Sequence, residues 1–218
     1  MFVAKYVLFF LVAFLIGLAA GLLFLFPGNV LITNDILPAI PPAQEASFSL
    51  ENAPSQSLRG KLISLNGDVY WQSRTATTSS PLTPNTILQQ GENITTGTSG
   101  TITIAFDNIV NVNLLPNSDL DLIQTLPSSM VFNQNQGVVT YTPKSFPVSV
   151  RNRHLLIKIN PGQAVVSLNP DLPALTIDVK KGSVSVAYNN LQYHTVYQTI
   201  DQGHSFNFND SSRVGIIR

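Results

Sequence analysis

From Gly91 to Leu122 the sequence GENITTGTSGTITIAFDNIVNVNLLPNSDLDL alternates apolar and polar residues with period two, and this pattern limits what the chain can become. Ile102, Ile104 and Phe106 point one way, with Thr101, Thr103 and Ala105 between them. Val110, Val112 and Leu114 repeat the pattern around Asn111 and Asn113, and Leu120 and Leu122 begin it again beside Asp119 and Asp121. Alternation puts every second side chain on one face, so it predicts three short strands, each with a buried face and a wet one. The breaks are legible too. Asp107-Asn108 separates the first two strands, and Asn tolerates the positive φ of a tight hairpin, which predicts a left-handed Asn108. Pro116-Asn117-Ser118 separates the second from the third with a fixed φ and side chains that bond their own backbone.

Similar signals recur from Leu58 onward. Strands are predicted at Val138 to Tyr141, Phe146 to Val150, Leu155 to Ile159 and Ala164 to Leu168, then at Leu175 to Val179, Val184 to Tyr188, Thr195 to Thr199 and Ser205 to Phe208. No window of this body shows a helical period. Charged residues make up 11%, against about a quarter in ordinary domains. Asn, Ser, Thr and Gln supply the polar surface instead, a composition that favours extended structure. The expectation is an all-β body of stacked short strands, solenoid-like or sandwich-like, with residues 58–125 as a first β-domain and residues 126–218 as a continuing β-repeat region packed on it. The Ser- and Thr-rich stretch Gln72 to Pro84 is expected to be a mobile surface insertion.

The central stretch resembles the FecR domain family. That family carries a glycine followed by an acidic or polar residue, a "T-G/T-x-x-S" turn, a strand, a "D-G" hairpin turn, a second strand and "P-x-S-x-L-x-L". The corresponding residues here are Gly91-Glu92, Thr95-Thr96-Gly97-Thr98-Ser99, Asp107-Asn108 and Leu115-Pro116-Asn117-Ser118-Asp119-Leu120-Asp121-Leu122. Asn108 stands where the family has its turn glycine. Gly60 to Val69 is similar to the family's opening strand and hairpin. Gln136-Gly137-Val138-Val139 and Lys181-Gly182-Ser183-Val184 are similar to its "G-x-V" strand starts, and Gln202-Gly203 to its later turn. The resemblance spans Leu58 to Phe208. It implies a stacked β-fold and says nothing about chemistry.

Residues 1–57 differ in kind. Met1 to Lys5 is a short head, expected in the cytoplasm. Tyr6 to Phe26, YVLFFLVAFLIGLAAGLLFLF, contains no charge. About twenty such residues span the ~30 Å hydrocarbon core of a lipid bilayer. The run is longer than a signal-peptide core and lacks an A-x-A site, so an uncleaved signal anchor is preferred to a cleaved signal. Lys5 precedes it and the first charges beyond are Asp35 and Glu45, which places the N-terminus in the cytoplasm and the body outside a single-pass cell membrane. Ala13, Gly17 and Gly21 form a small-residue face suited to close helix packing and a homodimer. Residues 27–57, with five prolines, read as an extended linker.

The sequence offers little chemistry. With no cysteine, thiolate sites and disulfides are excluded. His154, His194 and His204 show no metal-ligand spacing, and no nucleophile, phosphate-loop or dinucleotide motif appears. No catalytic residue, metal or cofactor is therefore expected, and a net charge of zero argues against nucleic acid. Asp119 and Asp121 share a strand face, a pattern that suits either paired carboxylates or plain solvation. Four residues are candidates for a binding surface: Trp71 as a stacking platform or a core residue, and Arg151, Arg153 and Lys158 as a basic stretch beside His154. The preferred function is a membrane-anchored, non-enzymatic module that binds or scaffolds an envelope polymer or a protein. Its neutral polar surface is expected to bind with little dependence on salt. The alternative that the resemblance implies is a FecR-type regulator; those engage a sigma factor through a cytoplasmic segment, for which only Met1 to Lys5 would be available.

Overall fold

The computed structural model describes residues 56–218, which are all-β. Among them no helix is long and apolar enough to cross a membrane. The expected anchor at 6–26, its Ala13, Gly17 and Gly21 face, and the linker up to residue 55 lie outside the described residues.

Sixteen strands follow one another among these residues. The first eight are β1 (Lys61–Asn66), β2 (Val69–Gln72), β3 (Ser80–Pro81), β4 (Asn93–Thr96), β5 (Thr101–Phe106), β6 (Val110–Leu114), β7 (Asp119–Leu126) and β8 (Ser129–Pro143). The last eight are β9 (Val148–Asn152), β10 (Leu155–Ile159), β11 (Gln163–Leu168), β12 (Ala174–Lys181), β13 (Ser183–Asn189), β14 (Thr195–Asp201), β15 (Ser205–Asn209) and β16 (Val214–Ile217). All are hydrogen-bonded into one continuous sheet that folds over at β8, giving two layers. The first layer runs β1-β5-β6-β8-β11-β12-β15-β16 through the second half of β8. The second runs β3-β2-β4-β7-β8-β9-β10-β13-β14 through its first half. Every pairing is antiparallel except β8 with β9. A coil of stacked turns would pair its strands in parallel, so the sandwich-like arrangement is the one these registers describe.

The inner faces are the apolar sets of the alternating strands. Ile102, Ile104, Phe106, Val110, Val112 and Leu114 from the first layer are fully buried, as are Ile94, Leu120, Leu122 and Phe132 from the second. Each such side chain contributes about 1.5–3 kcal/mol relative to exposure. Phe106 meets Phe132 across the layers, and Phe132 meets Tyr141, both with centroids 5.8 Å apart. Farther along, Tyr188 packs on Phe208 at 4.9 Å.

The bend of β8 is built around a buried amide. Gln134 donates to the carbonyls of Gly137 and Val166, both at 3.0 Å. Its Oε1 accepts from the Tyr141 hydroxyl at 3.2 Å, and Asn152 donates to its backbone carbonyl. Burial pushes the Tyr141 phenol well above its ordinary range. The Gln134 side chain thus ties β8 to β11, and the Asn152 side chain ties β9 to the Gln134 backbone. Gly137 sits at the bend with φ 85°. It is a bulge inside a long strand rather than the turn before a new one, because the chain changes layers there without leaving the ladder.

The chain passes between layers repeatedly, and the registers fix where. Before β9 the passages at Gly67, Gly97 to Gly100, Asn117 and Gly137 lie at the same end of the strands. After β9 they occur at the opposite end, at Gly162, Gly182 and Gly203. The expected opening hairpin at Gly60 to Val69 is therefore corrected: β1 pairs with β5 and β2 with β4, so residues 67–68 join two layers. The β5–β6 hairpin does form, but its left-handed residue is Asp107 (φ 42°) and not Asn108. The loop has three residues, with Ile109 N–H donating to the Phe106 carbonyl at 3.0 Å, and this moves the positive φ one place forward. The Gln72 to Pro84 stretch is tied down as well: β3 pairs with β2, and Leu82 is buried with its N–H on the Val69 carbonyl.

Candidate basic groove on the second layer

Outward-facing residues of neighbouring strands line up in rows. Register places Arg151 opposite Leu156, Leu156 opposite Ala187, and Ala187 opposite Tyr197. The next row holds Ser149, Lys158, Ser185 and Thr199. Because side chains alternate, the first row presents an arginine beside an apolar floor on the wet face of this layer.

Hairpin tips close over the end of that row. Arg153, in the β9–β10 turn with φ 45°, directs its guanidinium to the carbonyls of Pro170 and Leu172 at 3.3 and 3.4 Å. His154 Nδ1 lies 2.9 Å from Asp210 Oδ1. Arg213, in the β15–β16 turn with φ 52°, donates to the Asn189 carbonyl at 3.3 Å. The result is an open groove of about 410 Å³ lined chiefly by Arg151, Arg153, Arg213, His154, Leu156 and Tyr188. Among the described residues no carboxylate pairs with any of the three arginines. Asp210 answers His154 alone. Two guanidinium groups held by backbone carbonyls, with Arg151 and an exposed Leu156 beside them, suit a carboxylate or phosphate attached to an apolar or sugar-like body.

The structure therefore brings Arg151 and Arg153 together, in keeping with their proximity in sequence. Lys158 falls in the next row, outside the groove lining. Trp71 does not join them. It lies on β2, with β4, β7 and β8 between it and β9, and packs partly buried against the core. Arg213 was not among the sequence candidates. It is far from Arg151 along the chain, and only the stacking of hairpins brings it to the same end.

The other polar cluster is of a different kind. Asn93 donates to Asp119 Oδ1 at 2.6 Å and to Asp121 Oδ1 at 2.7 Å. Asn133 donates to Asp121 Oδ2 at 2.9 Å, and Asn135 to both carboxylates at 3.1 Å. These acids carry amide donors from both neighbouring strands, which hold them in place on the outer face. Among the described residues no three potential metal ligands cluster.

The remaining motif residues act in turns. Gly91 (φ 85°) precedes β4, and the neighbouring Glu92 is buried with its carboxylate on the Gln89 N–H at 2.7 Å. Burial raises the Glu92 pKa, against the lowering effects of that hydrogen bond and of Arg74. Pro116 and Asn117 (φ 56°) make the β6–β7 passage, where the Ser118 N–H and the Leu115 carbonyl both bond the Thr96 hydroxyl.

No family model matches this sequence, and no curated protein does. Among solved structures, two crystal structures of a "putative anti-sigma factor from Parabacteroides distasonis ATCC 8503" are similar to it. Each has a TM-score of 0.49, with 13% and 12% identity, covering 58% of this chain. The match spans 58% of the length of those chains.

Proposed function

We propose that this protein is a non-enzymatic binding module, anchored in the cell membrane through residues 6–26, whose extracytoplasmic body holds a carboxylate-bearing envelope polymer in the basic groove. The observation that carries the reading is the convergence of Arg151 and Arg153 from the β9–β10 hairpin with Arg213 from the β15–β16 hairpin, with no acid to neutralise them among the described residues. Placement outside the cytoplasm rests on the uncharged run and on Lys5 before it.

The groove changes one expectation from the sequence. A neutral Asn- and Thr-rich surface would bind with little salt dependence, whereas three guanidinium groups without a carboxylate partner make binding fall as salt rises. The test uses the full chain in detergent micelles with polygalacturonate as probe. Binding should weaken roughly tenfold in Arg151→Ala and in Arg213→Ala, about 1.4 kcal/mol each, and barely change in Lys158→Ala. Equal binding to a neutral polysaccharide, or an Arg151→Ala/Arg213→Ala double variant that binds like the parent, would sink the reading. For the anchor, mass spectrometry of the mature protein should find Met1 to Lys5 still attached; a new N-terminus near Pro27 would remove it.

A further inference from the structure

The strand stack is finished differently at its two ends. At one end the first layer closes with β1, which starts at Lys61 and breaks register between Leu62 and Ser64. The second layer closes there with β3, two residues long and ending in Pro81. Shortness, lysine, proline and a bulge all discourage the addition of another strand. At the other end the second layer closes with β14, seven residues paired to β13 in unbroken register. The first layer closes with β16. Neither contains Lys, Arg or Pro. Tyr197 is 67% exposed there, and Val214, Ile216 and Ile217 are exposed with it.

The polarity of β14 can be worked out. Asn190 N–H donates to the His194 carbonyl at 3.0 Å, so residues 196, 198 and 200 continue the bonds to β13. Antiparallel alternation then turns the N–H and C=O groups of Thr195, Tyr197 and Thr199 away from it. Among the described residues no strand receives them.

We propose that a second copy of this chain covers this edge, β14 pairing antiparallel with the partner copy's β14 about a two-fold axis through Gln198. Several observations select that occupant. The axis places Tyr197 opposite the partner copy's Thr199, and both carry outward-directed backbone groups, so the pair is of the hydrogen-bonded type. Gln198 then faces itself in a non-bonded pair, with Cβ atoms about 4.5–5.5 Å apart. Gln198 Oε1 is buried and has no hydrogen-bond partner among the described residues; the partner copy's amide supplies a donor, and the arrangement is reciprocal. Charge agrees as well. Thr195, which lines the basic groove with Arg213, comes to face the partner copy's Asp201, and no like charges oppose each other along β14. Head-to-tail growth would need β1 or β3 as acceptor, and both are blunted, so association closes at two copies instead of running on as a fibre. Because the axis is normal to the layer, both basic grooves open on the same side.

The chain has no cysteine, which gives a clean test. Full-length protein in detergent micelles is prepared as Thr199→Cys and, at the blunted end, as Ser64→Cys, and each is treated with a short bis-maleimide. Thr199→Cys should give a covalent dimer and Ser64→Cys none. Adding Tyr197→Pro should abolish the dimer, since that N–H makes no bond to β13; Tyr197→Lys, which keeps every backbone group, should do the same. Equal dimer yields from the two variants, no dimer from Thr199→Cys, or a Thr199→Cys dimer that survives both Tyr197 substitutions would each overturn the proposal. The last of these would show copies held together by the apolar run at 6–26 alone.

Discussion

The half of the body before β9 and the half after it are built on the same two layers but are threaded differently. In the first half the passages up to Gly137 lie at the end where β8 bends, and its hairpin tips at residues 107–109 and 127–128 lie at the other, where residues 144–147 also cross to β9. In the second half the passages move to that other end. Its tips at 152–154, 169–173, 190–194 and 210–213 consequently gather beside the bend. A passage is constrained, because it must carry the backbone over the edge of a packed core. A tip can project whatever side chains it carries. The groove has a floor of strand residues from β9, β10 and β13 closed by the tips that carry Arg153, His154 and Arg213, and all of them belong to the second half.

The largest expected effect tests how tightly the first half's passages are locked. A Cβ at Gly137 would overlap both Oγ and Cα of Ser118, and the residue's φ is 85°. Gly137→Ala should cost more than about 3 kcal/mol, strain and overpacking together. Gly203, a passage of the second half, has φ 86° and nothing within 4 Å of such a Cβ. Gly203→Ala should cost only the left-handed strain, about 1–2 kcal/mol. Denaturant midpoints decide this, and equal losses at the two sites would erase the contrast.

Next in size is the joint between the halves. Tyr141→Phe removes the donor to Gln134 Oε1 and leaves a buried acceptor unpaired, at a cost of about 1–3 kcal/mol. If the variant unfolds at the parent's temperature, the Gln134 node does not hold the bend.

The smallest effect is a pH dependence confined to the first half. Burial raises the Glu92 pKa above its ordinary 4.5, so the folded state holds this proton more tightly than the unfolded chain. The contribution to stability is then fully present below 4.5 and is lost as pH rises through the folded value. Lowering the pH from 7 toward 5 should raise the melting temperature of the parent more than that of Glu92→Gln. Identical slopes would remove Glu92 as the cause.

Much of the strand content is readable in the sequence. Leu155–Ile159 matches its predicted bounds, and β5, β6, β11, β12 and β13 lie within about two residues of theirs, because their alternation is unbroken. The first half of β8 is hidden because its inward positions include Gln134, which interrupts the apolar series and reads as a polar run with its neighbours. The strand β16 is hidden because it is short and its apolar residues are exposed. Pairing is less legible than strand content. Asn66-Gly67-Asp68 has the composition of a hairpin turn, and only the partners of β1 and β2 reveal that it joins layers. For the groove, Arg151 and Arg153 are visible as neighbours in sequence. Arg213 is not, since nothing local marks a residue that the strands from β10 to β15 carry back to the same edge.

The strand shared by both layers also bears on how the chain assembles as it is made. When Pro143 has been synthesised, β8 is complete and has β7 on one flank and β6 on the other, but β9 and β11 do not yet exist. A nascent chain at that stage carries two open strand flanks at once, one for each layer. Such flanks are where partly folded chains stick to one another. The segment closing the first of them, β9, follows only after a four-residue loop, while β11 must wait for the β9–β10 hairpin. The time needed to make and place residues 144–168 therefore sets the window in which this protein is most exposed to misassembly.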